Sequence, residues 1–304
     1  MRIGKLLWAD GSPEEFAESV AEAERAGFHS VWTPQVFGWD ALTLLALAAA
    51  RTERIELGTA VVPLYSRHPL VLAAAALTTS TVSGGRLALG IGPSHRFIVE
   101  DVWGLDYSRP LSFTRSYLEA LEPALAGQPT DVHDELVTAR LPRPLNTPHA
   151  PAPSVLLAAM APRMLQLAGT RADGTITLFA GIRAIRDFIV PSITRAAAAA
   201  SRPAPRVVAG LPVCVTGNPQ GARRLAAQQF TPYTEVPAYQ RVMAKDGATV
   251  PAEVALVGSA AEVGEQLAEL ADAGATDLMA QPFGDPDEQA ATCELLLAHA
   301  GPPA

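Results

Sequence analysis

The run Gly90-Ile91-Gly92-Pro93-Ser94-His95 joins small residues, a stiff turn and one imidazole. Glycines at a strand end let backbone N–H groups reach the tail or ring edge of a cofactor, because no Cβ intervenes. His95 has three readings there: proton donor, hydrogen-bond partner to a ring, or solvated loop histidine. A plain strand-to-loop turn is the bland alternative for the whole run. Met160-Ala161-Pro162-Arg163-Met164 opens a helix. Free N–H groups and the positive helix end suit a phosphate, with Arg163 as counter-ion; a solvated helix start fits equally well. Arg67-His68-Pro69 invites a catalytic reading, yet proline at a first helical turn makes loop-orienting roles for Arg67 and His68 simpler. Trp8, Phe37, Trp39, Phe179 and Phe283 either line an apolar cavity or fill the core. The pairs Asp272/Asp277 and Glu14/Glu15 read as solvated charge. Cys214 and Cys293 lie far apart without metal or redox spacing, so buried free thiols and no metal site are expected.

Elements must position these residues. Ile55–Val62 and Leu87–Ile91 are short apolar β-type runs flanking a helical segment from about Pro69 to Val82. Parallel strands need such a crossover, and parallel α/β folds place ligands at the strands' carboxyl ends. The alternation predicts further strands at Arg2–Trp8, Phe28–Pro34, Ser154–Met160, Gly174–Ala180, Arg206–Thr216 and Thr276–Phe283. Ser12-Pro13-Glu14-Glu15 and Ser259-Ala260-Ala261-Glu262 read as capping boxes, Asp40 caps Ala41–Arg51, and Gly27 and Gly274 end helices. Pro191 inside Ile182–Ala200 kinks that helix or marks a boundary. Asn218–Lys245 is helical but broken near Pro232 and Pro237. Arg96–Arg109 is expected to be loop. Gly127–Pro153, with six prolines and little periodicity, reads as an irregular insertion or a lid. Eight strands alternating with helices fit one (β/α)8 barrel domain over residues 1–304, with the insertion at about 127–153. A doubly wound open sheet is the alternative. A dinucleotide fingerprint is weak, since Gly90 and Gly92 lack its third glycine and downstream acid.

Composition sets limits. With 49% hydrophobic and 18% charged residues, 304 residues can build a large globular core. A net charge of −8 without any basic run argues against a nucleic-acid partner. The longest apolar run, Ala41–Ala50, falls far short of the ~20 residues of a membrane span. The start is strand-like and lacks signal-peptide character, so a cytoplasmic protein without membrane partners is expected.

In order along the chain stand G-T-A-V-V-P (Gly58–Pro63), R-H-P (Arg67–Pro69), S-G-G-R-L-A-L-G-I-G (Ser83–Gly92), G-L-D-Y-S-R-P (Gly104–Pro110) and Leu156–Gly174. Together they resemble the bacterial-luciferase-like flavin and deazaflavin oxidoreductases. Within these the chain most resembles the branch that uses coenzyme F-420, a 5-deazaflavin, the methylenetetrahydromethanopterin reductase type included. The resemblance covers most of the chain. It implies the barrel, a homodimer, and hydride transfer between the reduced cofactor and a small organic substrate. An FMN-dependent monooxygenase and a non-catalytic cofactor-binding barrel are the alternatives.

The resemblance also implies roles. It places a non-prolyl cis peptide at Ala60–Val61, where Thr59, Ala60 and Val61 would pack against one face of the cofactor ring. Gly92, Pro93 and Ser94 would meet the cofactor, and Met160, Ala161 and Arg163 would hold its phosphate, although alanine stands at 161 where the family has glycine. His95, Gln35 and Trp39 fall at catalytic positions. Related sugar-phosphate dehydrogenases have a histidine base where Gln35 falls and a glutamate where His95 falls. Glutamine cannot take that proton at neutral pH. The reductases carry a glutamate in the first strand, which Lys5–Trp8 lacks. Reduction of an activated C=C or C=N bond is therefore expected, with a proton from His95, Tyr65, Tyr107 or water. Trp8, Phe37, Phe179 and Phe283 would line the substrate cavity.

Overall fold

The computed structural model describes residues 1–301. Its strands in chain order are β1 (Arg2–Leu6), β2 (Ser30–Thr33), β3 (Glu56–Thr59), β4 (Val62–Pro63), β5 (Leu87–Gly92) and β6 (Thr130–His133). They continue with β7 (Thr138–Leu141), β8 (Ser154–Ala158), β9 (Gly174–Leu178), β10 (Arg206–Val215), β11 (Leu256–Gly258) and β12 (Asp277–Pro282). Ten of them form one sheet in the order β11-β10-β12-β1-β2-β3-β5-β8-β9, with β4 beside β5 and a β9–β10 pairing that closes the ring. Counting β4 as the continuation of β3, and with β11 an extra strand paired to the end of β10, eight parallel strands alternate with helices. This is a (β/α)8 barrel, and each of its eight strands lies within a residue or two of the expected run, whereas β6, β7 and β11 were not expected. The open-sheet alternative falls with the closing pair.

Two compact units emerge, one of residues 1–7, 22–32 and 159–304, the other of residues 8–21 and 33–158. In the first, β10 is flanked by β9 and β12, and nearly every residue of Arg206–Val215 is buried. Gly210 is forced by this crowding, since a Cβ there would stand 2.5 Å from Met279 Cε and 2.6 Å from the Thr177 carbonyl oxygen. Asp277, expected to be solvated, is 1% exposed. Arg206 holds it through two guanidinium contacts of 2.6 and 3.3 Å, and Arg2 lies 3.5 Å away. The three residues begin β12, β10 and β1, so one buried carboxylate ties three strand starts together.

Two capped, uncharged helices support the second unit. Asp40 accepts from Thr43 N at the start of helix Ala41–Ala49. Its neighbour Pro69–Val82 carries no charged residue, and Thr79 donates across to the Leu42 carbonyl. His68 caps this second helix: Nδ1 accepts from Leu70 N, while Nε2 lies 2.8 Å from the Thr138 carbonyl. The two bonds fix the Nε2–H tautomer, and His68 is used up as a structural clasp.

Two local features depart from expectation, and a helix boundary falls where Pro191 predicts one. Residues 127–153 are not wholly irregular, because β6 and β7 pair as an antiparallel hairpin. Asp134 closes its turn, accepting from Leu136 N, Val137 N and the Ser116 hydroxyl. Ile98–Val102 is a π-helical turn inside the expected loop. Ile182–Ala199 divides into an α-turn, the π-segment Ile185–Ile189 and helix Val190–Ala199. Pro191 lacks an N–H, so the hydrogen-bond ladder is interrupted just where the π-segment passes into the last helix. The expected breaks near Pro232 and Pro237 are present as separate short helices. No helix among the described residues is long and apolar enough to cross a membrane.

Candidate active site

The strand ends that could meet a ligand in the second unit converge on β5. Between β3 and β4 the chain makes a bulge whose Ala60–Val61 peptide is cis, as the resemblance implies. The Ala60 N–H donates to the Thr33 carbonyl at 2.8 Å, and the Thr59 hydroxyl donates to the Gly90 carbonyl at 2.7 Å. The glycines of β5 serve this packing directly. A Cβ at Gly90 would lie 1.9 Å from the Thr59 carbonyl oxygen, and one at Gly92 would lie 2.9 Å from Ala158 Cβ and 3.0 Å from Val61 Cγ2. Thr59, Val61 and Gly92 are thus brought together.

Past Gly92 the backbone turns through Pro93 and Ser94, the latter left-handed at φ 65°. The Tyr107 hydroxyl fixes this turn by donating to the Ser94 carbonyl at 2.9 Å. His95 is half-buried, and its ring lies parallel to Phe97 with centroids 6.0 Å apart. Burial pushes the imidazole below its ordinary value, so it is neutral at physiological pH. Tyr65 stacks on Phe113 at 4.0 Å, and burial first, then neighbouring negative groups, raise its phenol. It therefore keeps its proton.

Gln35, expected at a catalytic position, spends its carboxamide oxygen on the Ala41 N–H at 2.7 Å, with Arg67 Nη2 at 3.5 Å. Arg67 is ion-paired with Asp40, and Tyr117 donates to the Arg67 carbonyl at 3.0 Å. Both ends of residues 34–40 are therefore tied down, while Phe37 and Trp39 stand 63% and 51% exposed. Trp39 is anchored only at its edge, where the indole N–H donates to the Gly11 carbonyl at 3.0 Å. Trp8 is also exposed.

In the first unit, Met160 and Ala161 lead into helix Pro162–Arg171, which no side chain caps. Leu165 N bonds the Ala161 carbonyl, so the earlier N–H groups of the turn have no partner within the helix. Arg163 is exposed beside them. This donor set, free amides plus one guanidinium, fits an anionic group such as a cofactor phosphate. Phe179 and Phe283 are both fully buried. Phe179 is left-handed at φ 58° and packs against Phe230, Tyr233 and Tyr239 at 5.0 to 5.7 Å between centroids. Phe283 meets Phe230 edge-on at 5.9 Å.

Two residues escaped the sequence reading. Thr33 closes β2 at 1% exposure, and its hydroxyl has no hydrogen-bond partner among the described residues. Asp246 is buried and accepts from Gly181 N at 3.0 Å and Ala184 N at 3.1 Å, clamping the turn after β9. Neither stood out: a threonine ending an apolar run is ordinary for a strand, and Asp246 lies 65 residues from the turn it holds. A hint existed in Gly181, where any Cβ would strike the Asp246 carboxylate at 2.6 Å.

The family profile for luciferase-like monooxygenase matches residues 2–277. The chain belongs to this luciferase-like family. A Mycobacterium tuberculosis protein assigned, by name only, as a coenzyme F-420-dependent oxidoreductase is 34% identical over 194 residues, 59% of this chain and 56% of that one. A 5,10-methylenetetrahydromethanopterin reductase of Methanolobus tindarius is 30% identical over 156 residues, 51% of this chain and 47% of that one. The luciferase-like chain thus spans about half the length of each. The solved coenzyme F-420-dependent tetrahydromethanopterin reductase of Methanopyrus kandleri superposes with a TM-score of 0.77 over 99% of both chains at 21% identity. The FMN-bound oxygenating component of a Pseudomonas putida diketocamphane monooxygenase superposes with a TM-score of 0.78 over 99% and 98% at 19% identity. At such identities both structures speak for the fold alone.

Proposed function

We propose that this luciferase-like protein is an oxidoreductase that uses reduced coenzyme F-420 to reduce a small organic substrate. The observation that carries the reading is the donor set at Met160–Arg163, an uncapped helix start beside an exposed arginine, which suits the phosphate of a cofactor tail. Relatives named for deazaflavin chemistry favour that cofactor. When bound, the deazaflavin supplies hydride chemistry. The chain's own residues do the rest. Thr59, Ala60 and Val61 cover one ring face, and Pro93, Ser94 and His95 approach the ring's edge. Neutral His95, the protonated Tyr65 and the Tyr107 hydroxyl are the groups able to hold or pass a proton. Gln35 is committed to the Ala41 amide and offers no base, which disfavours alcohol oxidation and favours reduction. Trp39 and Phe37 present apolar surface to substrate from a loop tied at both ends.

Reduced FMN with oxygen is the second reading, favoured by the match of residues 2–277 to the luciferase-like monooxygenase family. Parallel fluorescence titrations with F-420 and FMN test both. Saturable binding of F-420, weakened by Arg163→Glu, is expected. Binding of FMN alone, with oxygen uptake in the presence of a flavin reductase, would replace the first reading with the second.

A further inference from the structure

We propose that the side-chain NH2 of Gln35 is a substrate-binding donor for the carbonyl oxygen of an α,β-unsaturated ketone, the class of substrate this chain reduces. The inference rests on the cofactor reading above and adds a substrate class to it. Gln35 stands two residues past the carboxyl end of β2, the side on which barrel enzymes assemble their sites. Thr33, which closes that strand, receives the Ala60 N–H on its carbonyl, so Gln35 follows closely on the anchor of the bulge. Chemistry sets the orientation of its carboxamide. Oε1 receives the Ala41 N–H at 2.7 Å and lies 3.5 Å from Arg67 Nη2, and both of these neighbours can only donate. The amide therefore cannot be turned over. Nε2 has no hydrogen-bond partner among the described residues, yet it is not sealed off. Gln35 is half-buried, and the buried side-chain atoms left unpartnered are the Thr33 and Ser80 hydroxyls.

A neutral, held donor suits a neutral acceptor. Carboxylates and phosphates call for a free cation, and the one beside Gln35, Arg67, is paired with Asp40. Conjugate reduction needs such a donor. As a hydride adds to the β-carbon, the C=C electron pair moves towards the carbonyl oxygen, and a donor already in place there lowers the barrier. A proton to the α-carbon completes the reaction, and the substrate gains the two electrons that the cofactor loses.

The test follows oxidation of reduced F-420 by 2-cyclohexen-1-one and larger cyclic enones in wild type, Gln35→Glu and Gln35→Met. F-420 affinity and melting temperature are measured alongside. Gln35→Glu keeps an oxygen for Ala41 and Arg67 and removes the donor. Its kcat with enone should fall on the order of 100-fold while F-420 affinity and melting temperature hold. Gln35→Met removes acceptor and donor without adding charge, so it should lose both turnover and melting temperature. A merely structural role for Gln35 predicts full turnover by Gln35→Glu in a stable fold, and that result overturns the inference. Full turnover by Gln35→Met overturns it too. If Gln35→Met does not fold, Gln35→Glu decides alone. Wild type that binds F-420 but turns over none of the enones overturns the inference and leaves the cofactor reading standing. Wild type that binds no F-420 overturns both.

Discussion

At the scale of single residues, His95 and Arg163 are two kinds of candidate group, one half-buried and one exposed. His95 shows the first kind. Its depressed value means that, just below pH 6.5, the folded chain holds fewer protons there than the unfolded chain. Stability from this group therefore falls as pH drops through that window, and nothing changes above it. His95→Gln removes the effect. The stability difference between wild type and variant, read from urea midpoints, should be flat near neutrality and shift against wild type towards about pH 5. A difference that never moves would contradict the burial argument. Arg163 shows the second kind, because an exposed guanidinium beside free helix amides stays available to an anion. Arg163→Glu should weaken cofactor binding on the order of 10- to 100-fold with little loss of stability. An unchanged affinity would remove the phosphate site.

At the scale of elements, what matters is how loops at strand ends are held. The turn after β9 hangs on Asp246, whose carboxylate takes amides from Gly181 and Ala184. Burial raises its value, and the amide bonds pull the other way. Removing the acceptor leaves buried N–H groups unpaired. Asp246→Ala should therefore cost about 1–3 kcal/mol, measured by chemical denaturation. A loss below a few tenths would mean that water replaces the carboxylate. The loop at residues 34–40 hangs on Asp40, which caps helix Ala41–Ala49 and pairs with Arg67. Asp40→Ala should cost about 1 kcal/mol or somewhat more and quench or shift the fluorescence of Trp39 as the loop loosens. Local chemistry made such caps legible in advance: Ser12, Asp40 and Ser259 all bond the amides that their spacing predicts. The hairpin of β6 and β7 was hidden, because its pairing rests on Asp134 and cross-strand contacts rather than on apolar alternation. The π-turns were hidden for the same reason, since they are set by what the chain packs against.

At the scale of the molecule, the barrel was readable because each strand is a compact apolar run between turn formers, and closure needs only their count and parallel sense. The site was readable in part. Gly90 and Gly92 drew attention as a ligand approach, yet their lack of a Cβ is already required by Thr59, Val61 and Ala158. Asp277 misled in the other direction, because its two arginines start strands far away in sequence. Buried between them, it should be costly to remove: Asp277→Ala is expected to lose about 1–3 kcal/mol, since it deletes a buried acceptor of Arg206. Thermal denaturation checks this, and a melting temperature within a degree or two of wild type would contradict it. The central claim concerns the cofactor. Fluorescence titration of the purified chain with coenzyme F-420, FMN run alongside, tests it most directly. Saturable F-420 binding, with FMN binding weakly or not at all, is the result predicted, and no F-420 binding under conditions where the chain is folded would contradict it.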